Sequence, residues 1–340
     1  MISPIKYGTW RPFGVYAMPW SALQPTKGSY TGSGSDQANM LFNWSVSDIL
    51  MQEASLNGIK VMWPVWGTPS WAAIAGDQVG GTVVSGPWGI PAEGAVPQKP
   101  QYIKDFVTAL LSRYPNQINR IEQRNEPFPA TNGWTGTMQQ LVTEGAAIYQ
   151  AVKATNLPVK VLSPPFYSSP FFRQWLNTID PVTGLMGHQT CDELALHTYA
   201  AASNKAISGI DLWSSTSIGP GEAYRHMDDL GIARKPYSVT EWGISESLGT
   251  ETDAFAALNP AARKTYISRV LAMAALNGAQ AFTIFGYNIL AGDYVLDTDG
   301  VMAAVSDIHT KLSGKTIVAG GYLPDGSVRV VLSDGQTYTW

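Results

Sequence analysis

The sequence predicts an α/β protein built on a parallel sheet, and three observations carry that prediction. Apolar, strand-like runs alternate with segments of helical period along most of the chain. The runs are short and read as buried, as strands covered on both faces are, which fits a sheet closed into a barrel. No glycine-rich phosphate loop follows the first run, which weakens a doubly wound nucleotide-binding sheet.

The strand-like runs are Phe13–Met18, Ile59–Val65, Ile118–Gln123, Val159–Ser163, Glu193–Tyr199, Pro236–Glu241 and Ala279–Phe285. Between them, Ile103, Phe106, Val107, Leu110, Leu111 and Tyr114 fall on one face of a helix. Met138, Leu141, Val142, Ala146 and Tyr149 mark a second. A third is punctuated at both ends: Asn259 as N-cap, Pro260 at the first position and Asn277-Gly278 as the stop. Gly67 to Pro100 reads as a long loop that walls or lids a cleft. From Thr316 the pattern changes to alternating β-branched and polar residues around Asp325-Gly326 and Asp334-Gly335, which are hairpin signals. The expected organisation is therefore one barrel over residues 1–315 and a C-terminal antiparallel β-hairpin element over residues 316–340.

The chain has 340 residues, 45% of them hydrophobic, so a large core is available. Only 14% are charged and the formal net charge is −4, which argues against a nucleic-acid partner. No apolar run reaches the roughly 18 residues of a membrane span. Met1 to Trp10 lacks a basic region followed by an apolar stretch, so no signal peptide is read there. Cys191 is the only cysteine and is read as a buried structural thiol. No His, Cys or carboxylate cluster has metal-ligand spacing, and neither a metal nor another cofactor is expected. The 12 Trp and 15 Tyr, many near Gly or Pro, offer faces on which sugar rings stack.

Two glutamates stand at the C-terminal ends of strand-like runs: Glu126 in Gln123-Arg124-Asn125-Glu126-Pro127 and Glu241 in Thr240-Glu241-Trp242-Gly243. In a parallel barrel that end of the strands is where reacting groups gather. Two facing carboxylates are the minimum equipment for glycoside hydrolysis. His197 and Tyr199, two apart in one run, share a strand face.

These motifs resemble glycoside hydrolase clan A. Asn125-Glu126-Pro127 is similar to the clan's signature after the fourth strand, Thr240-Glu241-Trp242-Gly243 to its seventh-strand site, and His197-Thr198-Tyr199 to its sixth-strand His-X-Tyr. Trp20-Ser21-Ala22-Leu23-Gln24-Pro25, Gly28-Ser29-Tyr30 and Gly67-Thr68-Pro69-Ser70-Trp71-Ala72 are closest to family 39 and its relatives. The resemblance covers about residues 7 to 290. It implies a (β/α)8 TIM barrel. Only two runs precede Glu126 where three are expected, so the first barrel strand is irregular or missing, or squeezed into Ile2–Tyr7.

The resemblance further implies a retaining glycosidase acting on an oligo- or polysaccharide, with endo action favoured. Glu126 would be the acid/base and Glu241 the nucleophile. Arg11 and Tyr199 would keep Glu241 ionised, and Asn125 would reach the sugar 2-hydroxyl. Trp20, Trp71, Tyr167, Trp242 and Tyr287 are candidate sugar platforms, and His197 a supporting residue. Arg124 stands where the family often has Trp; it either faces the helices with a partner or alters a subsite toward an anionic sugar. Glu122 and Glu144 are read as surface charges, and Glu193 is left open because it lies within a strand-like run. A non-catalytic carbohydrate- or receptor-binding barrel and a transglycosidase are the alternatives. Location stays open between an extracellular and a phage-borne protein, and so does the oligomeric state.

Overall fold

The structure is a computed structural model. It describes residues 9–12, 19–74, 94–127, 134–166, 169–199, 218–243, 259–284 and 301–340. The expected strands Phe13–Met18 and Ile2–Tyr7, and the candidate site residues Tyr167 and Tyr287, lie outside the described residues, as does the Tyr199 side chain.

Four strands form one parallel sheet in chain order: β1 (Thr9–Trp10), β2 (Lys60–Val65), β3 (Ile118–Gln123) and β4 (Lys160–Leu162). Three more, β5 (Leu194–Tyr199), β6 (Tyr237–Gly243) and β7 (Ala279–Ile284), form a second. A parallel bridge between Leu162 and Glu193 joins β4 to β5, and β7 lies beside β1. The two sheets are thus arcs of one barrel, with seven ring strands among the described residues. Two of them, β1 and β2, precede the strand that leads to Glu126.

The helices follow from the pattern. α1 (Trp20–Leu23) and α2 (Ser45–Leu56) precede β2, and α3 (Pro100–Arg113) precedes β3. α3 buries Ile103, Phe106, Val107, Leu110 and Leu111 on one face, each contributing roughly 1.5–3 kcal/mol on leaving water. α4 (Met138–Ala154) opens with a capping box, Thr137 accepting from the Gln140 amide and Gln140 from that of Thr137. α5 (Ser169–Asn177) and α6 (Pro220–Asp229) cover the second arc. α7 (Pro260–Leu276) has Asn259 as N-cap, its side chain accepting from the Ala262 amide at 3.0 Å, and Gly278 at φ 82° beyond its end. α8 (Val301–Leu312) leads into β8 (Ile317–Tyr322), β9 (Val328–Leu332) and β10 (Thr337–Thr339).

Burial divides into layers. One helix–strand core runs through Trp20, Trp63, Phe106, Leu110 and Ile148 beside the first arc. A second runs through Trp175, Leu196, Val239, Trp242 and Ile267 beside the other. Met62, Leu162 and Ala195 form a small apolar plug of their own, contributed by β2, β4 and β5. Because Arg120 pairs with Met62 and Glu122 with Leu162 across the sheet, both charges share the plug's face, inside the barrel. The C-terminal strands form an antiparallel sheet, β8-β9-β10, that packs Val328, Val330 and Leu332 against Ala272 of α7 and Ile308 of α8. The C-terminal element, expected as two or three antiparallel strands, is a three-stranded sheet.

Candidate active site

The candidate site is built at the C-terminal ends of β3, β5 and β6 and just past β1. Arg11 follows β1 and points inward. Its guanidinium takes Glu122 through Nε (3.1 Å) and Nη2 (2.5 Å), Asn125 Oδ1 through Nη2 (2.7 Å), and Glu241 Oε2 through Nη1 (3.1 Å). One planar fork thus holds three side chains in register, a task the ammonium of Lys cannot perform.

Asn125 and Glu126 reach the barrel mouth because strand alternation stops after Gln123. Arg124 and Glu126 have φ of 48° and 35°, the left-handed region that L side chains rarely adopt. The turn lets Asn125 and Glu126 face the site while Arg124 turns outward to α4. Glu126 accepts from His197 Nδ1 at 2.7 Å, and the same nitrogen lies 3.7 Å from Glu241 Oε2. His197 is buried, and its Nε2 has no hydrogen-bond partner among the described residues. Glu126 is the more open carboxylate, its side chain 19% exposed against 7% for Glu241.

Glu241 owes its direction to a bulge. Leu196 pairs with Val239 and His197 with Glu241, while Val239 pairs with Phe282 and Trp242 with Ile284. Against both neighbours, β6 carries one extra residue, Thr240. Simple alternation would set Glu241 on the face of Val239, toward the helices. The extra residue returns Glu241 to the interior and sends Trp242 outward.

Burial raises the Glu241 pKa most, to about 7; His197 and Arg11 pull it down, and Glu126 and Glu122 add to the rise. Burial opposes the charged form of His197, but Glu241 and Glu126 outweigh it and its pKa is raised. Arg11 behaves likewise: burial disfavours its charge, and Glu122 and Glu241 hold it. Three carboxylates therefore share two cationic partners.

Among the described residues, Glu126, His197 and Glu241 are the only His/Cys/Asp/Glu group close enough to hold a metal, their donor atoms within 4.8 Å of one another. Those donors are already engaged: Nδ1 with Glu126, and Glu241 Oε2 with the Arg11 cation at 3.1 Å. A guanidinium at that distance repels a second cation.

The structure brings together Arg11, Asn125, Glu126, His197 and Glu241 from the expected set, and it corrects several other expectations. Trp242 is fully buried against Tyr266 and Phe282 on the helix side of β6, so it offers no platform. Trp20 is buried too, stacked on Phe106 with Nε1 donating to Gln24 Oε1 at 2.8 Å. Trp71 keeps partial exposure, but its ring is edge-on to Trp20, Tyr30 and Tyr102 and its Nε1 donates to the Gln24 carbonyl at 2.9 Å. Trp20 and Trp71 thus pack against Phe106 and Tyr102 of α3.

Glu122 and Glu144, expected at the surface, are both buried. Glu122 holds Arg11, and Glu144 forms a two-pronged pair with Arg124 (2.9 and 2.7 Å). Glu193, left open by the sequence, is buried as well, held by Arg120 at 3.0 Å and Ser238 at 2.9 Å. The signal for Glu122 lay in the sequence: charges at 120 and 122 of a buried parallel strand share a face and require internal partners. The Arg124 guanidinium is consumed by Glu144 and buried, which removes the anionic-subsite alternative.

No helix among the described residues is long and apolar enough to cross a membrane. No protein-family model matches the sequence, and neither does any curated protein. Solved structures do. A glucosidase from Croceicoccus marinus matches with TM-score 0.63 and 15% identity, over 97% of this chain and 69% of that one. A family 39 glycoside hydrolase (GH39) from Xanthomonas axonopodis pv. citri matches at TM-score 0.61 and 17% identity, over 96% and 64%. A GH39 β-xylosidase from Caulobacter crescentus matches at 0.56 and 17%, over 97% and 67%. The chain therefore spans about two thirds of the length of these neighbours. Its fold is the (β/α)8 barrel of clan A glycoside hydrolases, family 39 among them, with a small antiparallel sheet at the C-terminal end.

Proposed function

We propose that this chain is a retaining glycoside hydrolase that cleaves an oligo- or polysaccharide, in endo fashion, by double displacement. One observation carries the reading: Glu126 and Glu241 face each other at the barrel mouth with an oxygen of each within 4.8 Å of the other. Retaining pairs stand about 5–5.5 Å apart, whereas inverting pairs are separated by about 6.5–9.5 Å to admit a water. The likeness to solved glycosidase structures supports the same class.

In the first step Glu241 attacks the anomeric carbon, the bond to the leaving oxygen breaks, and Glu126 gives that oxygen its proton. In the second, Glu126 takes a proton from water, the water oxygen bonds the anomeric carbon, and Glu241 leaves as carboxylate. Arg11 stabilises the ionised nucleophile. Because Asn125 Oδ1 accepts from Arg11, its Nδ2 is the group left to donate to the sugar 2-hydroxyl. A barrel that only binds carbohydrate has no need of three carboxylates gathered around Arg11 and His197.

The test combines two variants with a panel of polysaccharides. Glu241→Gly should abolish turnover, and azide should restore it as a glycosyl azide of inverted anomer. Glu126→Ala should keep activity only on substrates with good leaving groups. NMR of the first product should show the substrate's own anomer; an inverted first product, or wild-type rates in both variants, rules the mechanism out.

A further inference from the structure

We propose that Arg124 is the positioning residue for Glu126, locking from outside the barrel the backbone turn that aims it. The proposal rests on the acid/base reading of Glu126. The turn is conformationally costly: two of its three residues, Arg124 and Glu126, have positive φ. Pro127 adds to the cost, because its ring crowds the preceding residue and favours an extended backbone at Glu126. Such a turn persists only where its surroundings over-determine it.

On the inside, Arg11 holds Asn125 and His197 holds Glu126. On the outside stands Arg124 alone among the three. Its guanidinium pairs with both Glu144 oxygens on α4, donates to Thr68 Oγ1 and to the Ala95 carbonyl at 3.1 Å each, and lies 4.6 Å over the Trp134 ring. Thr68 closes the circuit by donating to the same Ala95 carbonyl at 2.6 Å. One side chain therefore ties the turn after β3 to the segment after β2, the approach to α3, the approach to α4 and α4 itself.

A buried ion pair is a poor source of net stability, since desolvation offsets most of its attraction. Its directional contacts are what a hydrophobic pair of the same volume lacks. Glu241 is held separately, by Arg11 and the β6 bulge, so loosening Arg124 should misplace the acid and spare the nucleophile.

Two variants test this. Arg124→Lys keeps the charge but loses the fork and the ring contact. Arg124→Met combined with Glu144→Met removes both charges together, so no buried carboxylate is left unpaired. Each is assayed on two glycosides of one sugar that the wild type accepts, one with a dinitrophenyl leaving group and one with a sugar leaving group. The expected result is a loss of about 10²-fold in kcat/KM on the sugar leaving group. The dinitrophenyl glycoside, which needs no acid, should stay within about threefold of wild type. Parallel losses on both substrates, or none on either, overturn the positioning role. A wild-type protein inactive on every glycoside instead overturns the hydrolase reading, and the role falls with it.

Discussion

At the scale of single residues the site is a problem in sharing charge. As the proposed nucleophile, Glu241 must be ionised to attack, yet burial holds its pKa up to about 7. On the proposed mechanism, kcat/KM should therefore fall as pH drops below about 7, and a pH profile on an activated glycoside, which does not depend on Glu126, isolates that limb. The same shift acts on stability. Between the ordinary value of 4.5 and about 7, the folded state keeps a proton on Glu241 that the unfolded state has released. Stability from this group is thus complete below pH 4.5 and is lost as pH rises to about 7. Glu241→Gln does not titrate, so it should gain on wild type through that window, by on the order of 1–3 kcal/mol at pH 8. Urea unfolding at pH 4.5 and pH 8 checks it; an advantage that shrinks with rising pH contradicts the sign.

At the scale of elements, the geometry depends on places where regular structure is interrupted. The extra residue in β6 turns Glu241 inward, and the left-handed turn after β3 does the same for Asn125 and Glu126. Close approach matters elsewhere. A Cβ on Gly187 would stand 2.1 Å from the Trp175 carbonyl oxygen, a backbone atom that cannot swing away. Gly187→Ala should accordingly cost about 1–3 kcal/mol by separating α5 from the short helical turn Gly187–Thr190. Denaturant titration reads this directly, and a neutral result denies that contact any role in the packing.

At the scale of the whole molecule, the inner and outer layers do separate jobs. The outer apolar cores hold the helices to the barrel, while the interior carries an apolar plug below a charged mouth. The C-terminal sheet packs on α7 and α8 through a core of its own, and Trp340 is tied to it by Arg269 Nε to its carbonyl (3.2 Å) and its own Nε1 to Asp307 (2.8 Å). Val330→Ala in that core should destabilise the protein by about 1–3 kcal/mol with kcat/KM unchanged. Activity and melting measured on one preparation would show whether the two fall together, which would contradict this separation.

The sequence by itself determined the alternation of strands and helices, the helix boundaries that Asn259, Pro260 and Gly278 punctuate, and the turns at Asp325-Gly326 and Asp334-Gly335. Those are local matters: apolar period, capping chemistry and permitted φ act over a few residues. It also marked Glu126, Glu241, Asn125 and His197 through short motifs at strand ends, and Arg11 through the family resemblance that those motifs carry. Only the tertiary structure decided where Glu144 and Glu193 lie, since a charge is read as surface until a distant partner is brought to it; Arg120 is 73 residues from Glu193. It also decided that Trp20 and Trp242 are buried in the cores between helices and strands. A single inserted residue in β6 reverses which side chains face the barrel, and the register that shows the insertion exists only between paired strands.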